Sequence, residues 1–174
     1  DKVGVVFFSD KIEKFIPPKK GRKHILLIIR EIINFEPDNK ATNIDCALHF
    51  MTEAIKKKCA AFLISDFIDD GDYSKSMTIA NRKHDLTAIQ VYDKRDSKMP
   101  DVGLVRVVDS ETGKEMWIDT SSKRVRQLYD KAWYERQQRL YSITAKSGVD
   151  IASVATDEDY VKSLLGLFKK RSIH

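Results

Sequence analysis

The sequence predicts an α/β fold: a doubly wound, mostly parallel sheet with helices on both faces and one added β-hairpin. Three observations carry this. The apolar run Ala60-Ala-Phe-Leu-Ile-Ser65 lacks alternation, the habit of a strand covered on both faces. Val3-Gly-Val-Val-Phe-Phe8 and Leu86-Thr-Ala-Ile-Gln-Val-Tyr92 read the same way. Segments with helical spacing alternate with these strands, as in βαβ successions. The strand ending at Asp66 is therefore expected to lie parallel to the other two, with Phe62 and Leu63 buried.

Taken in order, Val3–Phe8 stops at Ser9-Asp10 and turns tightly into Lys11–Ile16, which alternates and meets Pro17-Pro18, as an edge strand does. An antiparallel hairpin is expected there. Ile25, Leu26, Ile29, Ile32 and Ile33 give helical spacing across Arg22–Asn34. After the loop Glu36–Lys40, Thr42 or Asn43 caps a helix reaching about Lys58, with Ile44, Ala47, Leu48, Met51 and Ile55 inward. The Asp66 strand opens into an acidic loop with Gly71, then a short helix near Ser74–Arg82. Strand Leu86–Tyr92 is followed by a charged loop to Pro100. Val102–Val108 and Glu115–Ile118 flank Asp109-Ser-Glu-Thr-Gly113, a hairpin with Gly113 at positive φ. Ser121 or Ser122 starts a long helix to about Lys146, with Val125, Leu128, Tyr129, Ala132, Trp133, Leu140 and Ile143 as its stripe. Gly148 stops it, Val149–Val154 is the last strand, and Asp157 begins a closing helix to about Lys170.

The 174 residues suit one domain, 1–174, with a two-sided core. Charged residues make up 33%, yet the net charge is only +5, because acids interleave with lysines and arginines. That argues against a basic nucleic-acid stripe. Cys46 and Cys59 lack metal or redox spacing, which fits a reduced, cytoplasmic setting. No run reaches the roughly 18 apolar residues of a membrane span, and no signal peptide is present. The chain opens on Asp1-Lys2 without an initiator Met and reads as a piece of a longer protein, with room for a membrane anchor upstream.

In open α/β sheets the ligand crevice lies beyond the carboxyl ends of the strands. Asp66 stands there, placed either for metal binding or chemistry or to cap the segment that follows. The group Asp66, Asp69, Asp70, Asp72 fails as a calcium loop, since Ile68 and Met77 fall where ligands are required. A hard-cation site joining Asp66 to oxygens of another loop stays open. Cys46 and His49 lie one helical turn apart without a second pair, and Cys59 is isolated, so structural zinc is not expected. His24, His84 and His174 are expected to be solvated. No Gly-rich phosphate loop, Gly-x-Ser-x-Gly elbow or His-Glu-x-x-His helix occurs, and no nucleophile–base pair stands out. The helix 122–146 interleaves Lys123, Arg124, Arg126, Lys131, Arg136 and Arg139 with Tyr129, Trp133, Tyr134 and Tyr141. Asp130 and Glu135 break its positive field, which favours an amphipathic helix over a nucleic-acid surface. The terminal Lys169-Lys-Arg171 suits a helix C-terminus.

Several blocks occur together in order: Lys2-Val-Gly-Val-Val-Phe-Phe-Ser-Asp10, Phe15-Ile-Pro-Pro18, Lys40-Ala-Thr-Asn-Ile44, Leu63-Ile-Ser-Asp-Phe67, Tyr92-Asp-Lys-Arg-Asp96, Met99-Pro-Asp-Val-Gly103 and Asp109-Ser-Glu-Thr-Gly113. In this the chain resembles the bacterial domain-of-unknown-function-58 family, whose core is a von Willebrand factor A-like domain, from residue 2 to about 171. The resemblance implies a sheet of six principal strands and a metal-ion-dependent adhesion site at its top. There an Asp-x-Ser-x-Ser motif, a Thr and an Asp hold Mg²⁺ or Mn²⁺, and the partner's carboxylate completes the shell. Thr42 matches the Thr and Asp66 the Asp. The first motif and its strand are expected upstream of Asp1, so this piece alone is expected to bind little metal. In the family topology that strand lies between Val3–Phe8 and the Asp66 strand. Without it, those two strands are expected to pair directly, to associate through an open edge, or to await a strand from beyond this sequence.

The resemblance also implies a protein-interaction module without its own turnover, partnered by a MoxR-type AAA+ ATPase or its client. Two rival readings stand beside it. One is a metal-dependent hydrolase using Asp66, with Asp69 or Asp70 as base. The other is nucleic-acid binding through helix 122–146.

Overall fold

The computed structural model describes residues 1–39, 41–108 and 113–171. Lys40 and residues 109–112 lie outside them, as do His174 and the side chains of Lys170 and Arg171. The elements run β1 (Val3–Phe8), β2 (Ile12–Lys19), α1 (Arg22–Asn34), α2 (Ile44–Ala54), β3 (Ala60–Ser65), α3 (Ser74–Lys83), β4 (Asp85–Tyr92), α4 (Lys94–Ser97), β5 (Leu104–Val108), β6 (Glu115–Asp119), α5 (Lys123–Ser147), β7 (Asp150–Ala155) and α6 (Tyr160–Arg171).

The centre is the parallel sheet β3-β4-β7. Its register aligns Ala61 with Leu86, and Leu63 with Ala88 and Ile151. Alternation sends these five to one face. There they meet Ile44 and Leu48 of α2, Met77 and Ala80 of α3, and Leu140 and Ile143 of α5 in one cluster. The opposite face is covered at β7 by α6, through buried Leu167, and Phe168 meets Phe62 edge-on at 6.2 Å. Helices therefore flank the sheet on both sides.

β1 and β2 form an antiparallel hairpin, and Pro17-Pro18 belong to its second strand rather than ending it. The register shift between Val3 and Val5 falls opposite the prolines and accommodates their missing N–H groups. Gly4 is needed there, because a Cβ would lie 2.8 Å from the Ile16 carbonyl oxygen and 2.9 Å from Pro18. One face of the hairpin meets α2, through Phe15 against Phe50 and Phe8 against the central cluster. The other face carries Phe7, stacked at 4.6 Å on Phe35 just beyond α1.

Several expectations are corrected. The Asp66 strand, β3, is paired in parallel with β4 but shares no ladder with β1, which sits in a separate sheet. β3 is also not buried on both faces: Leu63 is 7% exposed, but Phe62 is 47% and Ile64 58%. Its continuous apolar run reads as two-sided burial, yet on its outer face α6 meets Phe62 at a single edge-on ring contact and leaves both Phe62 and Ile64 exposed. Val3 is likewise exposed. α1 has the predicted bounds, but Ile28 is its buried residue, and Leu26, Ile29, Ile32 and Ile33 face water. α2 stops at Ala54, four residues early, where Ile55 turns extended before the lysine run 56–58. The charged loop after β4 contains α4, and α6 starts at Tyr160 rather than Asp157. On α5, Leu128 and Ala132 of the proposed stripe are exposed, and burial concentrates at Leu140, Ile143 and Thr144. Gly148 ends α5 in the left-handed conformation at φ 64°, as glycine after a helix does. Gly113 has φ 68°, and β5 and β6 pair antiparallel as expected.

Candidate functional site

The candidate site is built where β3 ends. Ser65-Asp66-Phe67-Ile68 forms a tight turn in which Phe67 takes φ 59°, the only non-glycine at positive φ among the described residues. That region is unfavourable for a bulky side chain and persists only when the surroundings enforce it. Here they do. Phe67 is buried in the central cluster, its N–H donates to Ser65 Oγ at 3.1 Å, and the Ile68 N–H donates to Asp66 Oδ1 at 3.1 Å. The turn therefore holds the Asp66 side chain outward, exposed, at the carboxyl edge of the sheet. Asp66 shapes its own turn and caps no helix.

The acidic loop that follows is anchored from two sides. Asp69 Oδ2 accepts the Ile44 N–H at 2.8 Å and Oδ1 accepts the Gly71 N–H at 2.7 Å. A carboxylate there satisfies an unpaired donor in the first turn of α2 and sits at the positive end of its dipole. Arg139 of α5 donates to the carbonyls of Asp70 and Gly71 at 2.9 and 2.6 Å. Asp72 Oδ1 accepts the Ser74 hydroxyl at 2.6 Å and the Ser74 N–H at 3.1 Å, which holds its carboxyl below the usual carboxylate range.

The second predicted residue, Thr42, is half-buried just before Asn43. Asn43, not Thr42, caps α2, its side chain accepting the Cys46 N–H at 2.9 Å. The Asn43 N–H donates to the Ser9 carbonyl at the end of β1, at 2.8 Å. Three loops thus meet at one edge: the end of β1, the entry to α2 that carries Thr42, and the turn after β3 that carries Asp66. The same bonds bring the carboxyl ends of β1 and β3 to one place, the entry to α2, although the two strands are not paired. Sequence reasoning missed Asp69 as the link and Phe67 as the strained residue. The Asp at the third position past Asp66 was visible, but nothing in the sequence ties it to Ile44.

Thr42 and Asp66 are hard oxygen donors of the type Mg²⁺ takes, which suits a cation site, but two donors cover only part of an octahedral shell. Among the described residues no group of three or more His, Cys, Asp or Glu side chains is assembled for a metal. Asp69, a candidate base, has both oxygens engaged by backbone N–H groups.

Two further expectations change. His84 is not solvated but 1% exposed, and Cys59 is not isolated, since its Sγ lies 3.4 Å from His84 Nδ1. His84 Nε2 is buried without a partner. A bare acceptor is cheaper to leave unpaired than an N–H, which places the proton on Nδ1, donating to sulfur. Burial pushes the Cys59 thiol up and, with Lys83, the His84 imidazole down, so this is a packed neutral pair and not an activated nucleophile. On α5, Arg126 pairs with Asp101 at 2.8 Å, Lys131 with Glu135 at 3.7 Å, and Arg139 is spent on the acidic loop. Those basic residues serve the fold.

The block Tyr92-Asp-Lys-Arg-Asp96 also finds its reason. Asp93 and Asp96 form a reciprocal capping box on α4, and Lys94 pairs with Asp157 and Glu158 at 3.0 Å, joining the turn after β4 to that after β7. The family described as protein of unknown function DUF58 matches residues 1–139. The chain belongs to that family. This DUF58 chain is 25% identical over 160 residues to the uncharacterized protein MAV169 of Mycobacterium avium, covering 90% of the chain and 93% of the relative. It is 23% identical over 175 residues to the uncharacterized protein Rv1480 of Mycobacterium tuberculosis, covering 98% of the chain but 54% of the relative. The chain thus spans about half the length of that curated relative. Neither name describes an enzyme. In fold it is similar to BatB from Bacteroides thetaiotaomicron, at TM-score 0.59 and 14% identity, over 100% of this chain and 80% of that one. It is also similar to an aerotolerance-related membrane protein from Bacteroides fragilis, at TM-score 0.58 and 12% identity, over 98% and 80%. No helix among the described residues is long and apolar enough to cross a membrane.

Proposed function

We propose that this DUF58 chain is an interaction module of the von Willebrand factor A type. It binds a protein partner, a MoxR-type AAA+ ATPase or its client, at the edge where β3 and the entry to α2 meet. The observation that carries the reading is the enforced turn at Phe67, which keeps a carboxylate exposed and pre-positioned at a site where strained backbone is otherwise a cost. In the intact protein, Thr42 and Asp66 hold Mg²⁺ or Mn²⁺ together with ligands from outside these residues. Bound there, the cation supplies a positive charge for a partner carboxylate. The residues of this chain orient that site: Asp69 ties the two loops, and Arg139 fixes the acidic stretch behind them.

The absence of an enzymatic name among the relatives supports a module without turnover. The hydrolase reading is weaker, because Asp69 is committed to backbone donors. The membrane protein among the fold neighbours supports an anchor elsewhere in the intact protein. Electron paramagnetic resonance of Mn²⁺ titrated into the intact protein tests the site. Wild type is expected to take up one ion, and Asp66→Ala and Thr42→Ala to lose it with unchanged circular dichroism. Equal uptake by all three would overturn it.

A further inference from the structure

We propose that the β5-β6 hairpin is a strand-addition site: the outer edge of β6 takes an extended segment of a partner protein that carries a cation on either side of an apolar residue. The hairpin is a sheet of its own, and each of its strands has five residues. Its register puts Leu104, Arg106 and Val108 on one face with Glu115, Trp117 and Asp119, and all six are exposed. Trp117, at 67% exposure, stands between the two carboxylates of its strand. The root of the hairpin is fixed. The buried Thr120 hydroxyl accepts the Val102 N–H at 3.0 Å and donates to the Gly103 carbonyl at 2.6 Å, and Arg126 of α5 pairs with Asp101 at 2.8 Å. Tryptophan is among the side chains that most often anchor an interface, and here it is held outward on a fixed mount.

The ladder shows which main-chain groups face out. The Thr120 N–H, bonded to the Gly103 carbonyl at 2.9 Å, sets the alternation, so that Val105 and Ile118, then Val107 and Met116, bond to each other. The N–H and C=O groups of Glu115 and Trp117 therefore point away from β5, and no third strand pairs with β6 among the described residues. A two-stranded ribbon is marginal by itself and gains from a further strand. The occupant follows from charge and size. A strand added to β6 faces Glu115, Trp117 and Asp119 on one side and Met116 and Ile118 on the other. Cross-strand pairing then favours cation, apolar, cation on the first side and apolar residues on the second. Arg106 pairs with Glu115 at 3.3 Å, which leaves the row acidic overall. A second copy does not fit, because two β6 strands paired antiparallel about Trp117 would set Glu115 against Asp119. The edge is about 17 Å long, too short for two folded surfaces that need to bury about 1,200–2,000 Å², but it matches a five-residue segment.

The test uses the full-length protein and a fluorescein-labelled peptide, acetyl-Ser-Lys-Val-Tyr-Val-Lys-Ser amide, read by fluorescence anisotropy, with amide exchange at positions 115 and 117 measured alongside. Chelator is present throughout, so the outcome is independent of the cation site at Asp66. The peptide is expected to bind with a Kd below about 1 mM and to slow exchange at both positions. Replacing both peptide lysines by glutamate, N-methylating the peptide tyrosine, and substituting Trp117→Ala or Glu115→Lys in the protein should each weaken binding at least about tenfold. Affinity unchanged by N-methylation would overturn the proposal, since the segment would then lie on the face of the hairpin and not along its edge. Failure to bind, or affinity unchanged by Trp117→Ala or by the glutamate peptide, would overturn it too. So would exchange that slows with rising protein concentration in the absence of peptide, which would make the occupant a second copy.

Discussion

The two faces of β3 differ in what the chain provides for them. On one, Leu63 is enclosed by α2, α3 and α5, and the cluster includes Met77 and Ala80 at 0% exposure. On the other, Phe62 and Ile64, one residue either side, are exposed, with Phe168 of α6 at the edge of Phe62. Side chains of the same kind in one six-residue strand thus have opposite energetic roles. The enclosed face accounts for the stability of this piece of chain, and the open face is surface that the piece does not itself use. A run without alternation records that both faces of the strand are apolar. It does not say that these residues supply both covers.

The comparison can be broken by mutation. In the 174-residue chain, Met77→Ala on the enclosed side should cost about 2–5 kcal/mol, since it leaves a cavity in a packed cluster, as read by urea unfolding. A loss below about 1 kcal/mol would mean that the cluster is loosely packed. A second effect is pH-dependent. Burial and Lys83 favour the neutral imidazole of His84 in the fold, so the unfolded chain binds that proton more readily. Stability should be full above the ordinary histidine value of 6.5 and decline as the pH falls below it, while His84→Gln should lose that part of the decline. Identical profiles between about pH 7.5 and 5.5 would contradict the buried neutral pair. Asp93→Ala, which removes the capping box of α4, should cost about 1 kcal/mol. The smallest effect belongs to exposed apolar surface: Ile29→Ala in the 174-residue chain should change stability by less than about 0.5 kcal/mol. A loss matching that of Met77→Ala would mean that α1 packs against something after all.

Much of the fold could be read in advance because local chemistry marks it. The hairpin β1-β2, the bounds of α1 and α3, the parallel pair β3-β4, the positive φ of Gly113 and the stop at Gly148 all follow from periodicity and turn residues. The misreadings arise where tertiary partners decide. Helical spacing in α1 locates an apolar face, but Ile28 and Ile29 can be told apart only once Phe7 and Phe35 fix which side meets β1. His84 has basic neighbours in sequence, yet the end of α3 turns it inward to Cys59. At the candidate site, Asp66 was legible from the strand-end rule. Its setting was not: Asp69 reaches 25 residues back to Ile44, and such a bond leaves no local trace. The strain at Phe67 is equally silent, because nothing about a phenylalanine announces a left-handed backbone.

The central claim is that the carboxyl edge around Asp66 binds a partner through a cation. It is tested most directly by calorimetric titration of the intact protein with the MoxR-type ATPase of the same organism, in Mg²⁺ and in chelator. The account predicts binding in Mg²⁺ that falls at least about tenfold, roughly 1.4 kcal/mol, on chelation or in Asp66→Ala, with no change in Leu104→Ala. Affinity that is the same with and without chelator, and unaffected by Asp66→Ala, would contradict it.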